Sequence, residues 1–304
     1  MRIGLMAEPF AASLEDIKKE VTLAQDSGAH TYWLAQLWRY DALTLIPTLA
    51  AMAPDVEFAS GVVASYLRHP MTLASQALTT SLLTKGKFTL GVGLMHKPVI
   101  ESMFEMSFER PARHMREYLD ILLPLLEQKN VDASGASVSY HGGMDVPDAP
   151  PCPVMLAALG PMMLRLCGAR TDGTIMWMTG PETLRGYVLP ALTAAAEEAG
   201  REAPRMAALI PIIITADAKA GRELAAKLYA PYGEMPSYRA MLVREGLGGP
   251  EDYALIGSEA QVRDRLAAYE AAGVTDCGLQ IAGAGEMRAR AMEFVAALAG
   301  ERGR

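Results

Sequence analysis

Eight times along the chain, a short and nearly unbroken apolar run is followed by a longer stretch whose apolar residues recur every three or four positions. No other feature restricts the fold as much. The runs with strand character are Arg2 to Ala7, Thr31 to Ala35, Val56 to Ala64, Phe88 to Val92, Val154 to Ala158, Thr174 to Met178, Ala207 to Thr215 and Cys277 to Ile281. Strands apolar on both faces must be covered on both, which is the condition of a parallel sheet wrapped by helices. The stretches between them carry helix punctuation. Ser13 precedes Leu14, Ile17, Val21 and Ala24, Asp16 stands three residues on as a capping-box partner, and Gly28 closes the pattern. Pro70 falls where a first helical turn accepts it. Eight such units predict one closed (β/α)8 TIM barrel over residues 1–304, with insertions near 95–110, 129–153 and 231–256. The second insertion, rich in Gly, Pro and Asp, reads as a hairpin. An open doubly wound sheet is the structural competitor, but it does not normally need eight units.

Composition narrows the function classes. A hydrophobic fraction of 51% with 21% charged residues supports a large core and argues against disorder. The net charge of −7, with no local cluster of Lys and Arg, offers no footprint for nucleic acid. Cys152, Cys167 and Cys277 show no CxxC spacing, so they read as small buried hydrophobes rather than a disulfide framework or a zinc site. The N-terminus reaches Glu8 and Pro9 too soon for a signal peptide, and no run approaches the roughly 18 apolar residues of a membrane span. A cytoplasmic protein acting on a small molecule is the expectation.

In parallel barrels the chemistry sits at the carboxyl ends of the strands. Those positions carry Glu8, Gln36 with Trp38, Gly61-Val62-Val63, Gly93 and Met95, His96, Gly160-Pro161, and Thr179-Gly180-Pro181. The five histidines (30, 69, 96, 114 and 141) show no HxxxH or HxH pattern, so no metal is expected. Gly91-Val92-Gly93 lacks the third glycine of a dinucleotide fingerprint and reads equally as a turn. Gly160 and Gly180 each follow a strand and precede a proline suited to a first helical turn. Free N–H groups and the positive end of the helix dipole make such junctions anion sites, and two of them point to a phosphate-bearing cofactor.

These residues also fall into runs that resemble the bacterial luciferase-like oxidoreductases. The likeness is carried by Ser60-Gly61-Val62-Val63, Arg68-His69-Pro70, the run Gly86 to Gly93, and Arg110 to Leu119. It continues through Ala157 to Leu166, Thr171 to Thr174, Ile256 to Glu259, and Ala271 to Asp276. Tyr32 to Trp38, and Trp177 with Thr179-Gly180-Pro181, look closest to the branch that uses the deazaflavin coenzyme F420. The resemblance implies a (β/α)8 barrel holding F420, or alternatively FMN, across its mouth, and often a homodimer. It also implies a cis peptide at Gly61-Val62, whose bulge would back the flavin-like ring. Some F420-dependent relatives carry an acid or amide where this chain has His96, which leaves the proton donor open.

Hydride transfer to an activated double bond leaves an anion that must be protonated, so a general acid is wanted near the reacting carbon. His96 is the first candidate, and Glu8 the second, as acid, base or substrate anchor. A loop histidine that merely bonds backbone, and a carboxylate that merely caps, are the bland readings. Gln36, Gly61, Val62, Val63, Gly93, Met95, Gly160, Pro161, Thr179 and Gly180 are assigned to the cofactor, and Trp38, Tyr66 and Trp177 to the substrate pocket. Three functions follow: an F420-dependent oxidoreductase, an FMN-dependent monooxygenase fed by a separate reductase, and a flavin or deazaflavin binder without turnover. An aldolase-type barrel is disfavoured because no lysine ends a strand where a Schiff base would need it.

Overall fold

In a computed structural model of the chain, describing residues 1–10, 12–36 and 38–302, the expected strands close on themselves. Leu37, inside the Tyr32 to Trp38 segment, lies outside the described residues. The chain begins with β1 (Arg2–Met6), α1 (Leu14–Ser27), β2 (Thr31–Leu34), α2 (Ala42–Ala50), β3 (Glu57–Ser60), β4 (Val63–Ala64), α3 (Pro70–Leu83) and β5 (Phe88–Gly93). There follow α4 (Lys97–Ser102), α5 (Pro111–Leu126), β6 (Val131–Ser134), β7 (Ser139–Gly142), β8 (Val154–Ala157), α6 (Pro161–Arg170) and β9 (Gly173–Trp177). The last part holds α7 (Pro181–Thr183), α8 (Leu189–Glu198), β10 (Arg205–Ile214), α9 (Ala218–Gly233) and α10 (Pro236–Glu245). It ends with β11 (Leu255–Gly257), α11 (Glu259–Ala271), β12 (Asp276–Ile281) and α12 (Gly285–Arg302).

Around the barrel the order is β1, β2, β3, β5, β8, β9, β10, β12 and back to β1, every pairing parallel. The helix signals hold. Ser13 and Asp16 form the capping box of α1, and Gly28 ends it in the left-handed conformation at φ 73°. On α5 the stripe Met115, Tyr118, Leu119, Leu122 and Leu125 is fully buried, each side chain contributing about 1.5–3 kcal/mol.

Three features differ from the sequence expectation or refine it. The third strand is split into β3 and β4 at the Gly61–Val62 peptide, which is cis as the family resemblance implied. β11 is an additional strand, paired with the far half of β10; three residues are too few to display a period. The helix expected from Glu182 to Ala199 is α7 and α8 joined by a π turn over Leu184–Val188. The expected hairpin is β6 against β7.

Because side chains alternate along a strand, residues two apart share a face. The registers Met6 with Trp33, Trp33 with Ala59, Ile175 with Ala207, and Trp177 with Leu209 carry the inner face around the barrel. Met6, Trp33, Ala59, Met155, Ile175, Ala207 and Leu209 pack together in the lumen. One step toward the amino ends, the same face bears Glu57, Thr89, Arg205 and Asp276. Arg205 Nη1 donates to Glu57 Oε1 at 3.0 Å, and its Nε and Nη2 donate to the two Asp276 carboxylate oxygens at 3.2 and 2.9 Å. Thr89 Oγ1 donates to Glu57 Oε1 at 2.5 Å, and Arg2 pairs with Asp276 at 2.5 Å. This network closes the base of the barrel and leaves the other end for a ligand.

Candidate functional site at the barrel mouth

Continuing the alternation toward the carboxyl ends, the inner face reaches Glu8 beyond Met6, Ala35 beyond Trp33, and Gly61 beyond Ala59. Gly93, Ala157, Trp177 and Gln280 occupy the corresponding positions on β5, β8, β9 and β12. The layer divides into two halves. On the consecutive strands β2, β3, β5 and β8 it is Ala, Gly, Gly, Ala. That half is also tightly set: a Cβ at Gly93 would meet Val62 Cγ2 at 2.6 Å and Ala157 Cβ at 3.3 Å. A flat wall of backbone and methyl groups is the result.

The opposite half is aromatic and polar. α9 and α10 bring Tyr229, Tyr232 and Tyr238 over the strand ends. The Trp177 ring lies edge-on to Tyr229 at 6.0 Å and to Tyr232 at 5.8 Å, and Tyr232 lies edge-on to Tyr238 at 5.3 Å. Tyr229 donates its hydroxyl hydrogen to Gln280 Oε1 at 2.5 Å. Burial pushes both the Tyr229 and the Tyr232 hydroxyl well above the usual phenol range, and the negative charge of Glu8 adds to both shifts. The Trp177 indole comes near enough to the Tyr232 hydroxyl to temper that rise, but not in hydrogen-bonding geometry. Among the described residues its Nε1 is buried with no partner in hydrogen-bonding geometry.

His96 immediately precedes α4, and its ring packs on Tyr238 with centroids 5.3 Å apart. Residues from the β5 loop and from α10 thus meet across the mouth. Burial holds the His96 imidazole below its ordinary range, favouring the neutral ring. Glu8 faces the aromatic half, and its carboxylate also accepts the Phe10 and Ala12 amides at 3.0 and 3.1 Å. Glu8 is thus tied to the backbone of the turn before α1 while its charge is felt by the two tyrosines of the mouth.

The other expected residues sort by what they touch. Gly160 is the exposed N-cap of α6, with no side-chain cap and nothing within 4 Å of a Cβ built on it. Gly180 is different. The helix start there is filled by Glu245, whose carboxylate accepts the Glu182 amide at 3.0 Å and the Thr183 amide at 2.7 Å. The anion expected at that junction is supplied by the chain itself, which removes Gly180 as an open phosphate site. Thr179 is buried, its hydroxyl donating to the Trp177 carbonyl at 3.2 Å. Gln36 Oε1 accepts the Ala42 amide at 3.3 Å, at the start of α2. Met95 holds φ 65° just past β5, a conformation unusual for a residue with a Cβ.

Trp38 is 49% exposed and stacks on Phe104, with centroids 6.5 Å apart. Tyr66, just past β4, stacks on His114 at 4.0 Å and on Phe108 at 5.3 Å, with its hydroxyl buried and unpartnered. Neither is placed against Trp177. Residues the sequence reading did not assign are Tyr229, Tyr232, Tyr238, Gln280 and Glu245. Gln280 left a signal, as a polar residue inside the apolar run Cys277 to Ile281, and so did the two tyrosines three apart on one helix. Among the described residues, no group of three or more His, Cys, Asp or Glu could hold a metal, and no helix is long and apolar enough to cross a membrane.

A parallel (β/α)8 barrel with a sealed base and a mouth of one flat and one polar wall belongs to the enzymes that work at the carboxyl ends of their strands. Within that class the chain belongs to the luciferase-like monooxygenase family, whose model matches residues 1–276. A Mycobacterium tuberculosis protein that carries the name of a coenzyme F420-dependent oxidoreductase is 26% identical over 202 residues, covering 62% of this chain and 58% of that protein. Two solved structures share the fold. An F420-dependent secondary alcohol dehydrogenase in complex with an F420-acetone adduct superposes with a TM-score of 0.81 at 17% identity, covering 99% of this chain and 97% of that one. The oxygenating constituent of the 3,6-diketocamphane monooxygenase of Pseudomonas putida, in complex with FMN, gives 0.72 at 17% identity, with the same coverage.

The residues present fit a planar ring with an anionic tail. Ala35, Gly61, Gly93 and Ala157 themselves contribute nothing larger than a methyl to this wall, and the Val62 side chain fills the space over Gly93, so a ring would lie against an apolar surface of small groups. The open Gly160 end of α6 offers unpaired amides.

Proposed function

We propose that the chain is an oxidoreductase that works with coenzyme F420 on a small alcohol or carbonyl compound. Gly61, Val62, Val63, Gly93 and Met95 would hold the ring, and Gly160 with Pro161 the phosphate. When bound, the deazaflavin supplies a carbon that accepts or donates hydride. The observation that carries the reading is His96, half-buried at the mouth against Tyr238, where desolvation favours the neutral ring. In the oxidation direction a neutral imidazole takes the hydroxyl proton while the carbon–hydrogen electron pair leaves as hydride, giving the carbonyl. In the reduction direction the same nitrogen returns the proton to oxygen. The Trp177 indole N–H, buried without a well-aligned acceptor among the described residues, would donate to that oxygen and fix its position. The rings of Tyr229, Tyr232 and Tyr238 keep water from the reacting atoms.

An FMN-dependent monooxygenase is the second reading. It is supported by the FMN-bound structure that shares the fold, and by a flat wall that does not discriminate between the two ring systems. Titrating the purified protein with F420 and, separately, with FMN, followed by cofactor fluorescence, separates them. Micromolar or tighter F420 binding with weak FMN binding is the expected outcome, and the reverse order transfers the assignment to the monooxygenase.

A further inference from the structure

Helix α10 carries two consecutive side chains that fasten it to the start of the β9 crossover. Glu245 fills the amide end at Glu182 and Thr183. Arg244 lies over the Tyr187 ring, its guanidinium carbon 3.8 Å from the centroid. The chain has been shaped to admit this carboxylate, because a Cβ at Gly180 would lie 2.2 Å from Glu245 Cδ. At the other end of α10, Tyr238 meets His96. Between the two contacts, Met241 and Leu242 are buried with Tyr229, Tyr232 and Tyr253, so one packed helix joins them.

We infer that Glu245 is a positioning residue for the mouth: by capping the helix start at Gly180 it seats α10, and α10 in turn lays Tyr238 over His96. This inference rests on the reading of His96 as the proton-handling group, yet it concerns a coupling visible without turnover. Two backbone hydrogen bonds to a carboxylate are charge-assisted, and so stronger than neutral ones. They also hold Tyr238 where its removal would expose more of the half-buried imidazole. The ring packed on His96 is that of Tyr238 on α10; the first charged residues that follow it in sequence, Lys97 and Glu101 of α4, pair with each other at 3.8 Å. Its displacement from the ordinary range comes from burial, so uncovering the ring is what should restore it.

The experiment is a proton NMR titration of the His96 imidazole in the ligand-free protein, assigned by its loss in His96→Asn. It would be run on wild type, Glu245→Gln, and Gly180→Ala, which expels the carboxylate without altering it. Both variants should bring the His96 midpoint up toward the ordinary histidine value, and Tyr238→Ala should do the same. Tyr238→Phe should leave it in place, since the ring still covers it. With F420 and a turned-over substrate, KM and kcat should both change, with kcat/KM lower by about tenfold or more, as expected of a misplaced lid. A His96 midpoint unmoved in both Glu245→Gln and Gly180→Ala, with the fold intact by circular dichroism, would overturn the inference. A midpoint that moves while His96→Asn turns over normally would instead sink the catalytic assignment of His96 and leave the coupling standing.

Discussion

At the base of the barrel, Arg205 directs its guanidinium hydrogens to Glu57 and Asp276, while at the mouth Trp177 Nε1 has no well-aligned acceptor among the described residues and His96 rests against an aromatic ring. Both ends use the inner face of the barrel strands, and where one strand supplies both they are four residues apart, as Glu57 with Gly61, Thr89 with Gly93 and Asp276 with Gln280. At the base, every charge has a partner of opposite sign; the Asp276 carboxyl is raised by burial but brought below the usual range by Arg205 and Arg2. At the mouth, burial acts on His96 without an opposing charge. The base resembles a finished hydrogen-bond network, the mouth one with places left for a ligand. If that division is right, substitutions at the base should register in stability and substitutions at the mouth in turnover.

The largest effect is expected at the base. Arg205→Met leaves Glu57 and the buried Asp276 with Arg2 as their remaining cation, and it should cost about 3 kcal/mol of unfolding free energy in a urea titration, the low end for a broken buried pair. The dependence on pH sharpens the point. The folded Asp276 carboxyl is depressed, so its contribution is present above the unfolded value and is lost as acid takes the pH down through the folded one. The wild-type acid limb should therefore steepen at low pH, and in Asp276→Asn it should flatten.

His96→Asn should do the opposite. Stability should move by less than about 1 kcal/mol, while kcat with F420 and a secondary alcohol should fall by about 10²–10⁴, the usual range for a lost acid or base. In wild type, the alcohol-oxidising rate should rise with pH through a midpoint below the ordinary histidine value and then level off, because the neutral ring accepts the proton. A rate that keeps climbing through neutrality would assign the base elsewhere.

Outside the strands, on α1, lies a buried acid. Glu20 accepts from Tyr32 at 2.8 Å and from Arg288 at 2.5 Å, yet its burial outweighs both and raises the carboxyl to about 7. Raised above its unfolded value, this group favours the fold below about pH 4.5, and that advantage is lost as pH rises toward 7, a change of about 3 kcal/mol. Glu20→Gln should abolish that downward slope between pH 5 and 7 without touching turnover. Persistence of the slope would place the titrating group elsewhere.

What the sequence reveals follows the same division. The eight strands and their helices were legible because burial on both faces imposes periods that survive in one dimension. Ser13, Gly28 and Pro70 were legible because caps are local. The base network was not: Glu57, Arg205 and Asp276 come from strands far apart in sequence, and each reads alone as an ordinary surface charge. Glu245 was missed for a related reason, since the glycine that admits it is visible at 180 but the carboxylate arrives from a helix 65 positions later. Glu8 and His96 could be placed at the mouth because the ends of strands are identifiable without knowing what faces them.

The smallest effect is expected at the outer rim. Trp38 is half exposed, and its contact to Phe104 is a stacked pair of the kind that contributes roughly 0.5–1.5 kcal/mol. Exposure lowers that further, because truncation removes little area already shielded from water. Trp38→Ala should therefore shift the urea midpoint by an amount equivalent to less than about 1 kcal/mol. Its signature should be in KM for bulky apolar substrates, with kcat nearly unchanged, since the residue borders the entrance and does not reach His96 or Trp177. A loss of stability as large as that of Arg205→Met would show that the rim is part of the scaffold, and the contrast between the two ends would then begin deeper in the mouth than Trp38.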